Sequence, residues 1–117
     1  MQTIFNRPAA LGFFALSLFV SGMLQGAEHK VGMEFYEFTP AELTIQVGET
    51  VTWLNGDDTD HDLAFYEVKP VNAPTKNNPQ DIRVGEKYSF VFNQAGVFKY
   101  VCKIHRRQDM KGIITVE

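Results

Sequence analysis

Leu43, Ile45 and Val47 alternate with Thr44 and Gln46, and this two-residue period returns in segment after segment beyond residue 30. Such alternation marks strands with one buried face and leaves no long helix in the chain. Residues 30–38 are rich in β formers and stop at Thr39-Pro40. After 43–47, Gly48-Glu49 turns the chain into 51–54, where Val51 and Trp53 share a face, and Asn55-Gly56-Asp57-Asp58 makes the next turn. A strand from 61 to about 67 follows. Pro70, Pro74 and Pro79, with Asn72, Asn77 and Asn78, exclude long regular structure from 69–85. That stretch reads as a surface excursion, with room for a short helical turn near Asp81. Strands resume at 88–92, 97–103 and 112–116. On the second of these, Phe98, Tyr100 and Cys102 fall on one face and Lys99 and Lys103 on the other, so Cys102 points inward. About seven short strands at this spacing predict an all-β chain folded as a two-sheet antiparallel sandwich or barrel. The Cys…Trp…Cys pattern of an immunoglobulin domain is absent.

The first residues read as targeting rather than fold. Arg7 precedes an uninterrupted apolar run over 11–20, and Ser21, Gly22, Gly26 and Ala27 supply small residues behind it. This is the pattern of a signal peptide over residues 1–27, and the run is short for a membrane span. One domain, residues 28–117, is then expected outside the cytoplasm, in the periplasm. A domain this small gains little from its core alone. With one cysteine in the chain it has no internal disulfide. An exported lone thiol is therefore either buried and inert or bound to a metal. Loss of Arg7 moves the formal charge from −3 to −4. Between Val31 and Val68 there are nine acids and no Lys or Arg, whereas Lys99, Lys103, Arg106, Arg107 and Lys111 crowd the end of the chain. Nothing in this distribution resembles a nucleic-acid surface.

The chemistry concentrates in the stretch 102–112. Cys102 is followed by His105 and then by Met110, with Gly112 returning the chain to the sheet. Thiolate, imidazole and thioether together favour copper over hard cations, and a trigonal His2Cys set with a weak axial Met is the blue-copper arrangement. The missing histidine is best supplied by His61, which opens a strand after a turn and so reaches the same end of a sandwich. Each part alone has a plainer reading. A lone cysteine is commonly a buried apolar residue, and a loop methionine commonly packs. Zinc would accept Cys, His, His and Asp, but it has no use for Met. A Cys-His nucleophile three residues apart lacks an orienting third group, so catalysis is not expected. His29, near the new N-terminus, reads as solvated.

The combination resembles the cupredoxin family, with its amicyanin, pseudoazurin and plastocyanin branches. The likeness covers 31–117, through the run 38–55, the His61 strand with Phe65, Gly85, Tyr88, Phe90, Phe92, the Ala95-Gly96 turn, Tyr100-x-Cys102-x-x-His105 and Met110-x-Gly112-x-Ile114-x-Val116. The four residues between His105 and Met110 look like plastocyanin and pseudoazurin; the framework before Cys102 and the Met-x-Gly ending look more like amicyanin. The resemblance implies a Greek-key β-sandwich holding one copper ion, cycling between Cu(I) and Cu(II), by His61, Cys102, His105 and Met110. It also implies one-electron shuttling between redox protein partners by a monomer free of membrane once the leader is cut. The alternative is copper binding and delivery in copper homeostasis, without electron transfer.

Two positions depart from the family pattern. Asp62 and Lys103 stand where a small polar pair is usual, and an Asp62–Lys103 ion pair is expected to replace it. Ile104 stands in place of a proline before the second histidine, and its N–H is expected to reach the thiolate. By resemblance His105 is the electron exit. The basic residues around it predict an acidic docking face on the partner, unless Asp57, Asp58, Asp60 and Asp62 neutralise them within the molecule.

Overall fold

The computed structural model describes residues 26–117; the leader expected over 1–27 lies, up to residue 25, outside the described residues. Nine strands form two sheets: β1 (Glu28–Glu34), β2 (Glu37–Thr39), β3 (Glu42–Ile45), β4 (Thr50–Asn55), β5 (His61–Tyr66), β6 (Gln80–Ile82), β7 (Lys87–Val91), β8 (Gly96–Val101) and β9 (Lys111–Val116). One sheet runs β2-β1-β4-β7 and the other β3-β9-β8-β5-β6. Both are mixed rather than purely antiparallel, because β1 lies parallel to β4 and β3 parallel to β9. The expected all-β sandwich is thus present, and a single 3-10 turn, Arg106–Gln108, interrupts it among the described residues.

The sheets close on the residues that the alternation placed inward. Val31, Met33, Val51, Trp53, Leu63, Phe65, Phe98, Tyr100, Ile114 and Val116 are all buried. Trp53 is the hub: its ring meets Phe65, Tyr88, Phe92 and Tyr100 at centroid distances of 5.5–6.5 Å. Aromatic pairs at such spacings add edge-to-face attraction to the gain from burial.

Three expectations need correction. The stretch 30–38 is not one strand, because Phe35 and Tyr36 (φ 55° and 58°) make a two-residue hairpin between β1 and β2. Hairpins of this tightness need positive φ at both central positions and usually show Asn-Gly or Gly-Gly there, so two aromatics hid the turn. Residues near Asp81 form no helical turn; β6 pairs with β5, His61 opposite Ile82. His29 is half-covered rather than freely solvated. Its Nε2 lies 2.9 Å from Glu49 Oε1.

That contact is part of a clasp on β1. Glu49 also accepts the N–H of Gln46 at 2.8 Å and of Ala27 at 3.4 Å. The Gln46 N–H and the His29 imidazole hold its carboxyl below the usual carboxylate range, against a weaker opposing effect of burial. A carboxyl with a lowered folded-state pKa contributes stability above its unfolded value and loses it as pH falls through the folded value. Glu49→Gln is therefore expected to unfold earlier than the parent in urea at pH 7, with the gap closing below about pH 5. A gap that persists unchanged at pH 3 would remove the carboxylate from this account.

Candidate metal centre

The loop that bears the ligand candidates is the hairpin connection from β8 to β9. Pairing runs as far as Val101 opposite Lys111, and one further bond, Cys102 N–H to the Met110 carbonyl at 2.9 Å, closes the neck. Both residues at that neck, Cys102 and Met110, are fully buried. Beyond it the chain passes His105, makes the 3-10 turn, and is reversed by Asp109 in the left-handed region (φ 61°). His61 reaches the loop because β5 lies antiparallel beside β8, Ala64 opposite Val101, which carries the start of β5 past the end of β8. The turn before it is set by buried Asn55, whose Nδ2 donates to the carbonyls of Thr59 and Ile82 and whose Oδ1 accepts the Asp57 N–H.

Three of the four candidates converge through their donor atoms. His61 Nδ1 and His105 Nδ1 are 3.1 Å apart, and Cys102 Sγ lies 3.7 Å and 3.5 Å from them. Donors sharing a first-row ion, with metal–nitrogen about 2.0 Å and metal–sulfur about 2.3 Å, sit about 3–4 Å from one another. The three separations fall in that range, so the donor set fits a small thiophilic ion. Without a proton or cation among them, two imidazole lone pairs and a sulfur would face one another unrelieved. Met110 is placed by its backbone against Cys102, in the same buried neck.

The surroundings hold this arrangement in place. His61 is fully buried, and its Nε2 lies 3.1 Å from Asp57 Oδ2. A carboxylate there selects the tautomer that leaves Nδ1 free and makes the ring a better donor. Asp57 is held below the usual carboxylate range by the Asp58 N–H first and by His61 second. His105 is half-buried, with the ring of Tyr36 edge-on at 4.8 Å. Loss of hydration, then the neighbouring His61, holds the His105 imidazole below its ordinary value. Burial pushes the Cys102 thiol up, against N–H groups that pull it down.

The expected Asp62–Lys103 ion pair does not form. Lys103 Nζ donates instead to the Lys76 carbonyl at 2.9 Å. Asp62 Oδ1 accepts the backbone N–H groups of Lys103 and, at 3.2 Å, Ile104. The Ile104 N–H is thereby occupied and does not reach sulfur; the Asp62 N–H does, at 3.4 Å. The reason is the register. Asp62 comes opposite Lys103 where the β5–β8 ladder has ended, so its carboxylate takes the place of the missing ladder acceptor. Asp62→Ala is expected to leave two N–H groups unpaired, at about 1–3 kcal/mol each, and to weaken copper binding about tenfold. Lys103→Ala should leave affinity and visible spectrum unchanged. Chelator competition and urea unfolding read both, and the reverse ranking would restore the ion pair.

Sequence reasoning missed Tyr36, and it missed Asp57 as a partner of the buried imidazole. The four-residue spacing of Asp57 and His61 offered a signal. The hairpin that delivers Tyr36 offered none.

Residues 25–117 match the model of the copper binding proteins, plastocyanin/azurin family. The chain belongs to this copper-binding family. It is 38% identical to a plastocyanin of Scenedesmus fuscus over 68% of this chain and 86% of that protein. With an amicyanin of Paracoccus versutus it shares 33% identity over 74% of this chain and 63% of the relative, so the match spans under two thirds of that protein. Its fold matches the structure of a novel purple cupredoxin from Nitrosopumilus maritimus with a TM-score of 0.63 and 28% identity, over 76% of this chain and 99% of that one. It also matches 22% of a copper-containing nitrite reductase from Thermus scotoductus SA-01, at 30% identity and a TM-score of 0.64 over 77% of this chain. Cupredoxins of this family bind copper, and His61, Cys102 and His105 are positioned as a copper site.

Proposed function

We propose that the protein is an exported one-electron carrier in which His61, Cys102, His105 and Met110 hold a single copper ion. The observation that carries the reading is the convergence of His61 Nδ1, His105 Nδ1 and Cys102 Sγ within 4.8 Å at one end of the sandwich. Copper would supply the Cu(I)/Cu(II) couple. The chain's part is to keep the donors still: Asp57 orients His61, Asp62 binds the loop backbone, and the buried neck at Cys102 and Met110 excludes water. A donor set fixed in this way has little to rearrange when charge changes. His105 is the ligand candidate nearest solvent and so the natural exit for the electron.

This reading involves no substrate and no catalytic residue. Residues 1–27 would act as the signal peptide and 28–117 as the mature, monomeric periplasmic domain; among the described residues no helix is long and apolar enough to cross a membrane. The partners would be redox proteins, with an acidic face on at least one of them. Asp57 contacts His61, Asp60 accepts the Val84 N–H and Asp62 accepts the loop backbone, so none of these three forms an ion pair with Lys103, Arg106 or Arg107.

Copper delivery uses the same ligands and is separated by retention. The protein is cycled repeatedly between ascorbate and ferricyanide in the presence of a chelator for each oxidation state. A carrier keeps its copper through the cycles. Transfer to the chelator in one oxidation state would make it a delivery protein.

A further inference from the structure

On the outer face of the five-stranded sheet, away from the core, Val101 on β8 stands beside Lys111 on β9, and Tyr66 on β5, opposite Lys99, lies diagonal to Val101. The register sets this: Ala64 stands opposite Val101, and Val101 opposite Lys111. Together with Lys76, Arg106 and Asp109 they line an open cleft of about 260 Å³. Lys76 Nζ sits over the Tyr66 ring, 5.1 Å from its centroid. The Lys103 ammonium donates to the Lys76 carbonyl and so ties the loop to the segment that carries Lys76. Of the four cations here, only Lys111 has a carboxylate within reach among the described residues, Asp109 at 3.3 Å. The opposite flank of the loop differs in sign, since Asp60 and Asp81 line a depression beside Ile104 with Arg83.

We propose that this cleft, rimmed by Lys76, Arg106 and Lys111 over Tyr66 and Val101, is the docking site for an acidic segment of a partner protein. The inference rests on the electron-carrier reading and places the partner to one side of His105 rather than centrally over it. Charge complementarity argues for the occupant: Lys76 and Arg106 have no carboxylate within reach among the described residues, Lys111 has Asp109 alone, and the excess of positive charge left on the lining is what an acidic segment would meet. Tyr66 and Val101 give the apolar floor that a peptide backbone or methylene stem packs against, and that a bare anion does not use. Arg106 directly follows His105, so a segment held in the cleft brings its protein beside the imidazole. The acidic flank around Asp60 and Asp81 repels the same partner and thereby fixes its orientation.

The test is a titration of the 15N-labelled Cu(I) protein with hexaglutamate peptide at low ionic strength, following amide shifts. The expected result is shifts centred on Tyr66, Lys76, Val101, Arg106 and Lys111, fading toward about 0.15 M salt. Lys76→Gln with Lys111→Gln should weaken binding about fivefold or more, and Lys87→Gln, on the other sheet, should leave it unchanged. Shifts confined to 103–108 and indifferent to Lys76 and Lys111 would overturn the cleft. Displacement of the peptide by inorganic phosphate at equal charge would also overturn it, since that outcome means a small-anion site. The measurement involves no electron transfer, so loss of the cleft with reversible copper cycling intact sinks this inference alone. Peptide binding in the cleft of a protein that fails to retain copper sinks the carrier reading instead.

Discussion

Gly112→Ala unfolds at a distinctly lower urea concentration than the parent, with stability reduced by about 3 kcal/mol. Gly112 sits opposite Tyr100 in the β8–β9 ladder, and a Cβ there would lie 2.3 Å from the Tyr100 ring carbon Cζ and the hydroxyl oxygen. The Tyr100 ring cannot step aside. It is fully buried and packed edge-on against Phe38 and Trp53, with centroids at 4.8 Å and 5.5 Å. The glycine is thus required for space, as the floor on which an aromatic ring lies. Gly32→Ala is the control: the nearest atom to its Cβ would be the Thr39 carbonyl oxygen, an ordinary contact at 3.8 Å, and a near-neutral effect is expected. Equal midpoints for parent and Gly112→Ala would mean that Tyr100 and the adjoining neck of the ligand loop are far looser than described.

Cys102→Ala keeps the fold and loses the intense visible absorption of the Cu(II) form. The substitution removes one buried sulfur, a change of about 1 kcal/mol in stability, but also the sole thiolate of the donor set. What remains of the proposed set would be two imidazoles and the Met110 thioether, which would bind Cu(II) without a sulfur-to-copper charge-transfer transition of comparable strength. A pH effect accompanies the loss. Burial raises the Cys102 thiol, so copper uptake by the parent displaces a proton, and apparent affinity strengthens as pH rises toward and through the thiol range. In Cys102→Ala that proton is gone, and copper affinity should rise less steeply with pH. Absorption that survives the substitution would exclude Cys102 as a ligand.

Much of this architecture is legible in the alternation of apolar residues, because burial on one face is a local signal with a fixed period. Val51 and Trp53, and Phe98, Tyr100 and Cys102, face inward as their spacing requires. The hairpin at Phe35-Tyr36 is hidden because its turn residues are aromatics in strained positions, and the strand rich in β formers continues across it in the sequence. β6 is hidden among prolines because its pairing with His61–Leu63 is non-local. The site divides along the same line. Cys102, His105 and Met110 announce themselves by spacing on one loop, whereas the partners of Asp62 depend on where the β5–β8 ladder stops. The opposite charges of Asp62 and Lys103 suggested an ion pair. The backbone N–H groups of Lys103 and Ile104, left without strand partners, took the carboxylate, and the Lys103 ammonium, on its flexible stem, found the Lys76 carbonyl instead.

The most direct test of the carrier account is an optical redox titration of the copper-loaded protein. The account predicts an intense visible band that bleaches with one electron per copper, returns fully on reoxidation, and traces the same curve in both directions with copper content unchanged. A weak or absent band, or a bleached protein that does not recover without added copper, would contradict it.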